Sequence, residues 1–306
     1  MTRARDNADL GDSYGTLGAG VTGGSGLDAT SVTRNYNVIL SRPSTTEIDI
    51  DAGYLTLFDS SNKYVILGTG VASSACDLRL DQDNDSAGSG SNGLLGLDTG
   101  SFANSTFYHL YVIHNGSATS CVASLAHNWI STTNDGSAGD TKGVDKTNIS
   151  GYTYGKYIGA VYVESGGTFE DFNQKDNVCV TTSKQVFSEN SCDATHGCNI
   201  SLAEIIPPTS YRMWLDTSTW TVDGSGAHIV QKTISNIYIY SGKSANGKIT
   251  IGFQKNEDDI GYMYDYYNVC VDLAPSDNTQ IWVRTDAAYY FTGVLKRFEY
   301  TNPNIV

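Results

Sequence analysis

Residues 106–127 read TFYHLYVIHNGSATSCVASLAH, and this stretch decides the fold class. The run TFYHLYVIH (106–114) is apolar on both faces of an extended chain, as a strand buried between two layers has to be. Asn115-Gly116 follows, a compact hairpin cue. TSCVASLAH (119–127) then returns as a second strand-like run.

The same pattern extends outward along the chain. Strand-like segments before it are YNVIL (36–40), EIDI (47–50), YLTLF (54–58) and YVILG (64–68). After it come YIGAVYVE (157–164), YRMWLD (211–216), NIYIY (236–240), KITIGFQ (248–254), YMYDYYNVCVDL (262–273), QIWVR (280–284) and AYYFTGVLKRFEY (288–300). Gly166-Gly167 and Asn246-Gly247 add further turn signals. No long window repeats apolar residues at the three-and-four spacing of a helix. So many short strands, punctuated by turn residues, predict an all-β sandwich or barrel.

Composition narrows the class. The chain has 306 residues, of which 40% are apolar, with 20 Tyr and 9 Phe among them, so a large core can be buried. Charged residues are 17%, below the roughly 25% of a typical soluble protein. Glycine is frequent (32) and proline scarce (5), which excludes collagen-like and proline-rich disordered chains. A formal net charge of −14 repels phosphate backbones and anionic headgroups, so neither nucleic acid nor membrane insertion is expected. Arg3 and Arg5 are not followed by the apolar core of a secretory signal, so synthesis in a cytoplasm is expected.

Residues 1–35 differ from the rest, being polar, glycine-rich and poor in large apolar groups. Leu17, Ala19 and Val21 alternate with Gly18 and Gly20, which in an extended chain gives a thin strand with one narrow apolar face. Such a face needs several parallel copies to bury it; a flexible tail is the plainer alternative. Residues 36–306 carry the β pattern as one domain. Three polar stretches within them, 81–93, 131–148 and 188–199, read as long loops or insertions.

Candidate chemistry is sparse. Asp81, Asp83 and Asp85 alternate like the start of a calcium loop, but Ser86 and Asn92 stand where such a loop wants glycine and an acid. A solvated acidic loop is the plainer account of 81–85, and Glu257-Asp258-Asp259 reads as a turn, with a metal or sugar-hydroxyl contact as its alternative. The cysteines lack the paired short spacing of a zinc site. Cys121, Cys179 and Cys270 lie in strand-like runs as expected buried thiols, and Cys192 and Cys198 enclose CDATHGC, where one disulfide is open in an oxidising medium. No nucleophile elbow occurs, and carboxylate pairs in so acidic a chain carry no information about glycosidase chemistry. His109 and His114 read as structural, and Trp214, Trp220 and Trp282 as core or interface. Tyr262, Tyr264 and Tyr266 alternate along one strand, with Tyr267 beside them. A row of hydroxylated rings can stack on sugar or line a subunit interface.

Two stretches carry a family resemblance. GTLGAGVTGGSGL (15–27) resembles the glycine-rich connector that precedes the distal domains of tailed-bacteriophage tail fibres. LDTGSFANSTFYHLYVIHNGSATSCVASLAHNW (97–129), followed by GYTYGKYIGAVYVESGGTFEDF (151–172), is similar to a β domain that recurs in those fibres. IIPPTSYRMWL (205–215) and NTQIWVRTDAAYYFTGVLKRFEY (278–300) resemble its later strand and closing hairpin. The chain departs from the pattern at Lys156-Tyr157 and at Arg297-Phe298-Glu299, where the family has paired arginines, and through the 131–148 insertion.

The resemblance implies a jelly-roll-like antiparallel β-sandwich with an extended N-terminal arm. It implies a structural virion fibre or spike, not an enzyme, with no cofactor, located in the virion. Residues 1–35, with Arg3, Arg5, Leu17, Ala19 and Val21, would dock on other virion proteins and trimerise. The head of the homotrimer would meet a host cell-surface glycan. A capsid-surface head fibre or decoration protein is the nearest alternative; a free carbohydrate-binding module or glycan-degrading enzyme is a second.

Overall fold

The computed structural model describes residues 21–22, 38–52, 55–61, 63–67, 71–79, 93–129, 139–187, 197–220, 234–241, 249–254, 265–273, 280–285 and 290–300. These residues are all-β, with no helix among them. The chain divides into two compact units, Met1–Asn177 with Asn302–Val306, and Val178–Thr301.

The first unit contains β1 (Val21–Thr22), β2 (Ile39–Ser44), β3 (Glu47–Ala52), β4 (Leu55–Phe58), β5 (Tyr64–Leu67) and β6 (Val71–Arg79). It continues with β7 (Thr106–His114), β8 (Thr119–Ser124), β9 (Ala126–Asn128), β10 (Gly139–Gly143), β11 (Tyr154–Val163) and β12 (Phe172–Lys175). One sheet runs in the order β1-β5-β4-β11-β7-β8, and β12-β2-β3-β6 are hydrogen-bonded in that order in another. Their ladders are antiparallel; β9 and β10 form a short parallel pair. The expected hairpin is β7–β8, with Gly116 at φ 97° in its turn and the Asn115 side chain accepting from the Ser117 and Ala118 amides.

Residues of both sheets share one apolar core. Leu40, Ile48 and Ile50 come from β2 and β3, and Leu55, Leu57, Tyr108, Leu110, Val112, Ile158 and Val161 from β4, β7 and β11. In β3 the sequence EIDIDA alternates as a half-buried strand should, with Ile48, Ile50 and Ala52 inside. In β7 the residues from Tyr108 to His114 are all buried, so both faces of this strand are covered. Trp129 and Val144, beyond β9 and β10, belong with the buried residues. The Tyr111 ring lies 5.8 Å from Trp129, and its hydroxyl donates to the Ala126 carbonyl (2.8 Å).

The second unit contains β13 (Val178–Phe187), β14 (Cys198–Ser201), β15 (Ser210–Trp220), β16 (Ile234–Ser241), β17 (Ile249–Gln254), β18 (Asp265–Asp272), β19 (Gln280–Thr285) and β20 (Tyr290–Tyr300). Its strands lie in the orders β18-β15-β20-β13 and β14-β19-β16-β17, with antiparallel ladders. Along β15, β18 and β20 the chain alternates: Met213, Leu215, Val269, Val271, Leu295 and Phe298 are buried, while Arg212, Trp214, Asn268, Cys270, Asp272 and Arg297 are half-buried or exposed. That alternation gives this sheet one core face and one solvent face.

Candidate functional site

The residues singled out in the sequence fall mostly outside the described set. Arg3, Arg5, Leu17, Ala19, Asp81, Asp83, Asp85, Tyr262 and Tyr264 lie outside it. Val21 is described, and it pairs with Ile66 in the six-stranded sheet. Tyr266 stands in register with Ser218, and Tyr267 with Thr217. Among the described residues no group of three or more His, Cys, Asp or Glu could hold a metal ion.

Polar groups of the first unit are drawn inward. Asp98, in the LDTG turn, is fully buried: Oδ2 accepts from Ser124 Oγ (2.7 Å) and the Asp145 amide (2.8 Å), and Oδ1 from the Thr99 amide (2.8 Å). Burial pushes its carboxyl up to about 6 against those three donors. Asn148 adds a bond to the Asp98 carbonyl (2.9 Å). One carboxylate thus ties the 93–100 turn to the segment that follows β10. Gly100 takes φ 82° in this turn, and Tyr108 fastens its far side, accepting from the Ala103 amide (2.6 Å).

GYTYG is also explained by packing. Gly151 takes φ 91°, a left-handed conformation that costs glycine little. Gly155 has the Trp129 ring where a Cβ would stand. Trp129 is itself fixed, donating Nε1–H to the Thr153 carbonyl (3.2 Å), with Lys146 Nζ 4.6 Å above its ring and bonded to its carbonyl (2.9 Å). Beside it His109 is buried 5.2 Å from the His127 ring and 5.6 Å from Tyr157. Burial, then the His127 charge, hold His109 well below the ordinary imidazole range, so it is a neutral packing residue, as expected. Lys156 is the anomaly: it is buried opposite Val112, its ammonium has no hydrogen-bond partner among the described residues, and burial alone brings it down to about 8.

The second unit displays its polar groups instead. The ladder registers align three rows across β13, β20, β15 and β18. The first row is Val178, Glu299, Arg212 and Asp272; the second is Val180, Arg297, Trp214 and Cys270; the third is Gln185, Val294, Asp216 and Asn268. Arg212 donates from Nε to Asp272 Oδ1 (2.6 Å), and its Nη1 lies 3.6 Å from Glu299 Oε2, which also accepts from the Tyr211 hydroxyl (2.5 Å). Lys296 Nζ lies 3.2 Å from Asp216 Oδ2 and donates to Ser183 Oγ (3.2 Å), while Asn268 donates to Asp216 Oδ1 (3.2 Å).

Trp214 is the centre of this face. The Arg297 guanidinium lies over its ring at 4.1 Å from the centroid, and that of Arg212 at 5.8 Å. A register shift produces the arrangement. Trp214 pairs with Arg297 and Leu215 with Leu295, so Lys296 is an extra residue on β20, a bulge of the kind that re-aims side chains. Unlike Arg212 and Lys296, Arg297 has no carboxylate or hydrogen-bond partner among the described residues. Val180, next to it, is 48% exposed.

Trp214, expected in the core or at an interface, is half-buried on a solvent face. One expectation needs correction here. Cys270 is an exposed free thiol, because it occupies the solvent-facing position opposite Trp214, whereas Cys121 and Cys179 are buried as expected. Partial burial, aided by Asp272 and Glu299, raises the Cys270 thiol against the two arginines, so it stays protonated. Cys198 is disulfide-bonded. The Arg–Trp arrangement was not apparent from spacing, since the bulge at Lys296 breaks the alternation that would have revealed it. No family model matches the chain, and no curated protein matches it in sequence.

Proposed function

We propose that the chain is a structural fibre or spike protein of a tailed bacteriophage that attaches the particle to glycan on the host surface. The observation that carries this reading is the use made of the fibre-like sequence. Asp98, Gly100, Tyr108, Gly151 and Gly155, all inside the LDTG…YHLYVI and GYTYG stretches, each hold a defined place in one packed unit. Residues that serve packing in this way support a shared fold, jelly-roll-like in its finer architecture, and leave binding to be done elsewhere.

Binding, not turnover, is the proposed mechanism. Residues 1–35 dock on other virion proteins and assemble three chains, and the heads meet the surface with many weak polar and aromatic contacts. Several copies on one particle turn weak contacts into stable attachment. Two measurements test this: light scattering of the purified chain should give a trimer, and free chain should block particle adsorption to host cells. A stable monomer that leaves adsorption untouched would overturn the reading.

A further inference from the structure

Resting on that attachment reading, we infer that the solvent face of β13, β20, β15 and β18 is a site for a carboxylated sugar, with Arg297 as the group that takes the carboxylate. In a chain with 33 acidic and 19 basic residues, an exposed guanidinium with no acid partner among the described residues stands out. Arg212 and Lys296, the other cations here, are both neutralised by carboxylates on the same face. Arg297 is held instead by the Trp214 ring, which fixes the guanidinium plane without using its N–H donors. Those donors match a carboxylate bidentately, and preorganisation by the ring lowers the entropy lost on binding.

The surroundings fit a pyranose ring that carries the acid. Val180, on the other side of Arg297, offers an apolar surface to C–H groups. Asn268, Asp216 and Glu299 in the flanking rows offer an amide and carboxylates to ring hydroxyls. A neutral sugar would offer Arg297 only uncharged hydroxyl oxygens, so discrimination comes from the acid.

The test uses the full-length chain and two probes, a galacturonate oligosaccharide and the neutral galactose oligosaccharide of equal length, titrated by calorimetry. The galacturonate oligomer is expected to bind at least about tenfold more tightly than the neutral one, the scale of one charge-assisted pair. R297Q should erase that preference, R297K should restore part of it, and Lys175→Gln on β12 should leave it intact, each variant melting like the parent. Equal affinity for both probes, binding to neither, or a preference that survives R297Q would overturn the site. Failure of the site and failure of the attachment reading remain distinguishable through adsorption. R297Q that blocks host adsorption as well as the parent sinks the site alone, whereas a parent chain that blocks nothing sinks attachment.

Discussion

The two units spend their polar residues in opposite ways. In the first, Asp98, His109, His114, Lys156 and Gln174 are buried, and the acid, the amide and the histidines are tied into turns or rings. In the second, Arg212, Asp216, Asn268, Asp272 and Arg297 are set out in rows on a sheet whose other face is apolar. Buried polar groups with fixed partners specify one arrangement of the chain and are costly to disturb. Exposed ones contribute little to stability and are free to meet a ligand. On this account the first unit is a scaffold and the second a display.

Substitutions should separate the two roles. The largest effect is expected from Gly155→Ala, whose new Cβ would enter the space of the Trp129 ring, itself held by Thr153 and Lys146. Overpacking of that kind costs about 3 kcal/mol or more, read as lost hydrogen-exchange protection along β7 and β11. An unchanged protection pattern would show that the indole can move aside and that the scaffold is looser than described.

Lys156 gives the next effect, of opposite sign. Its ammonium falls from the ordinary 10.5 to about 8, so the charged lysine weakens the fold at every pH below 8. The penalty fades as pH climbs from 8 to 10.5, where the unfolded chain releases the proton too. Lys156→Met should therefore stabilise at neutral pH by about 1 to 3 kcal/mol, and the gain should shrink toward pH 10.5. A destabilised variant at pH 7 would mean that the amine has an interaction the fold depends on.

Asp98 makes a smaller and acid-side prediction. Its folded value, about 6, lies above the ordinary 3.8, so the ionised form is the disfavoured one. Its contribution is best below pH 4 and declines as pH rises through 6. Denaturant titrations should show that decline, by about 2 kcal/mol, in the parent and lose it in Asp98→Asn. Parallel pH curves for the two proteins would contradict the assignment.

Smallest of all is the effect of Arg212→Ala on the display face. Both carboxylates it meets are reachable by water, Asp272 with 74% of its side chain exposed. The unfolding midpoint is expected to stay where it was, measured by scanning calorimetry. A drop comparable to that of Gly155→Ala would erase the distinction between the two units.

How far the sequence could be read follows the same division. TFYHLYVIH coincides with β7 because apolar residues on both faces leave an extended chain no other stable place. The β3, β11, β15 and β20 runs were legible by alternation or by apolar density. TSCVASLAH was not one strand: it breaks at Leu125, after Ser124 turns its hydroxyl to Asp98 and to the Ala126 amide. The long loop at 131–148 contains β10, whose GDTKG offers no apolar signal and is defined only by pairing with β9. β6 and β14 were missed because small and polar residues interrupt the apolar pattern of VASSACDLR and CNIS. The tyrosine row 262–267 and the acidic loop 81–85 were visible as patterns, whereas the Trp214 face depends on ladder registers and one bulge. Registers between distant strands are set by turns and core packing, and no local pattern reports them.

The measurement that bears most directly on attachment is an image of the particle with this chain located by a bound antibody fragment. Label at the distal end of a tail fibre or spike is the expected result. Label confined to the capsid shell, or none on intact particles, would contradict it.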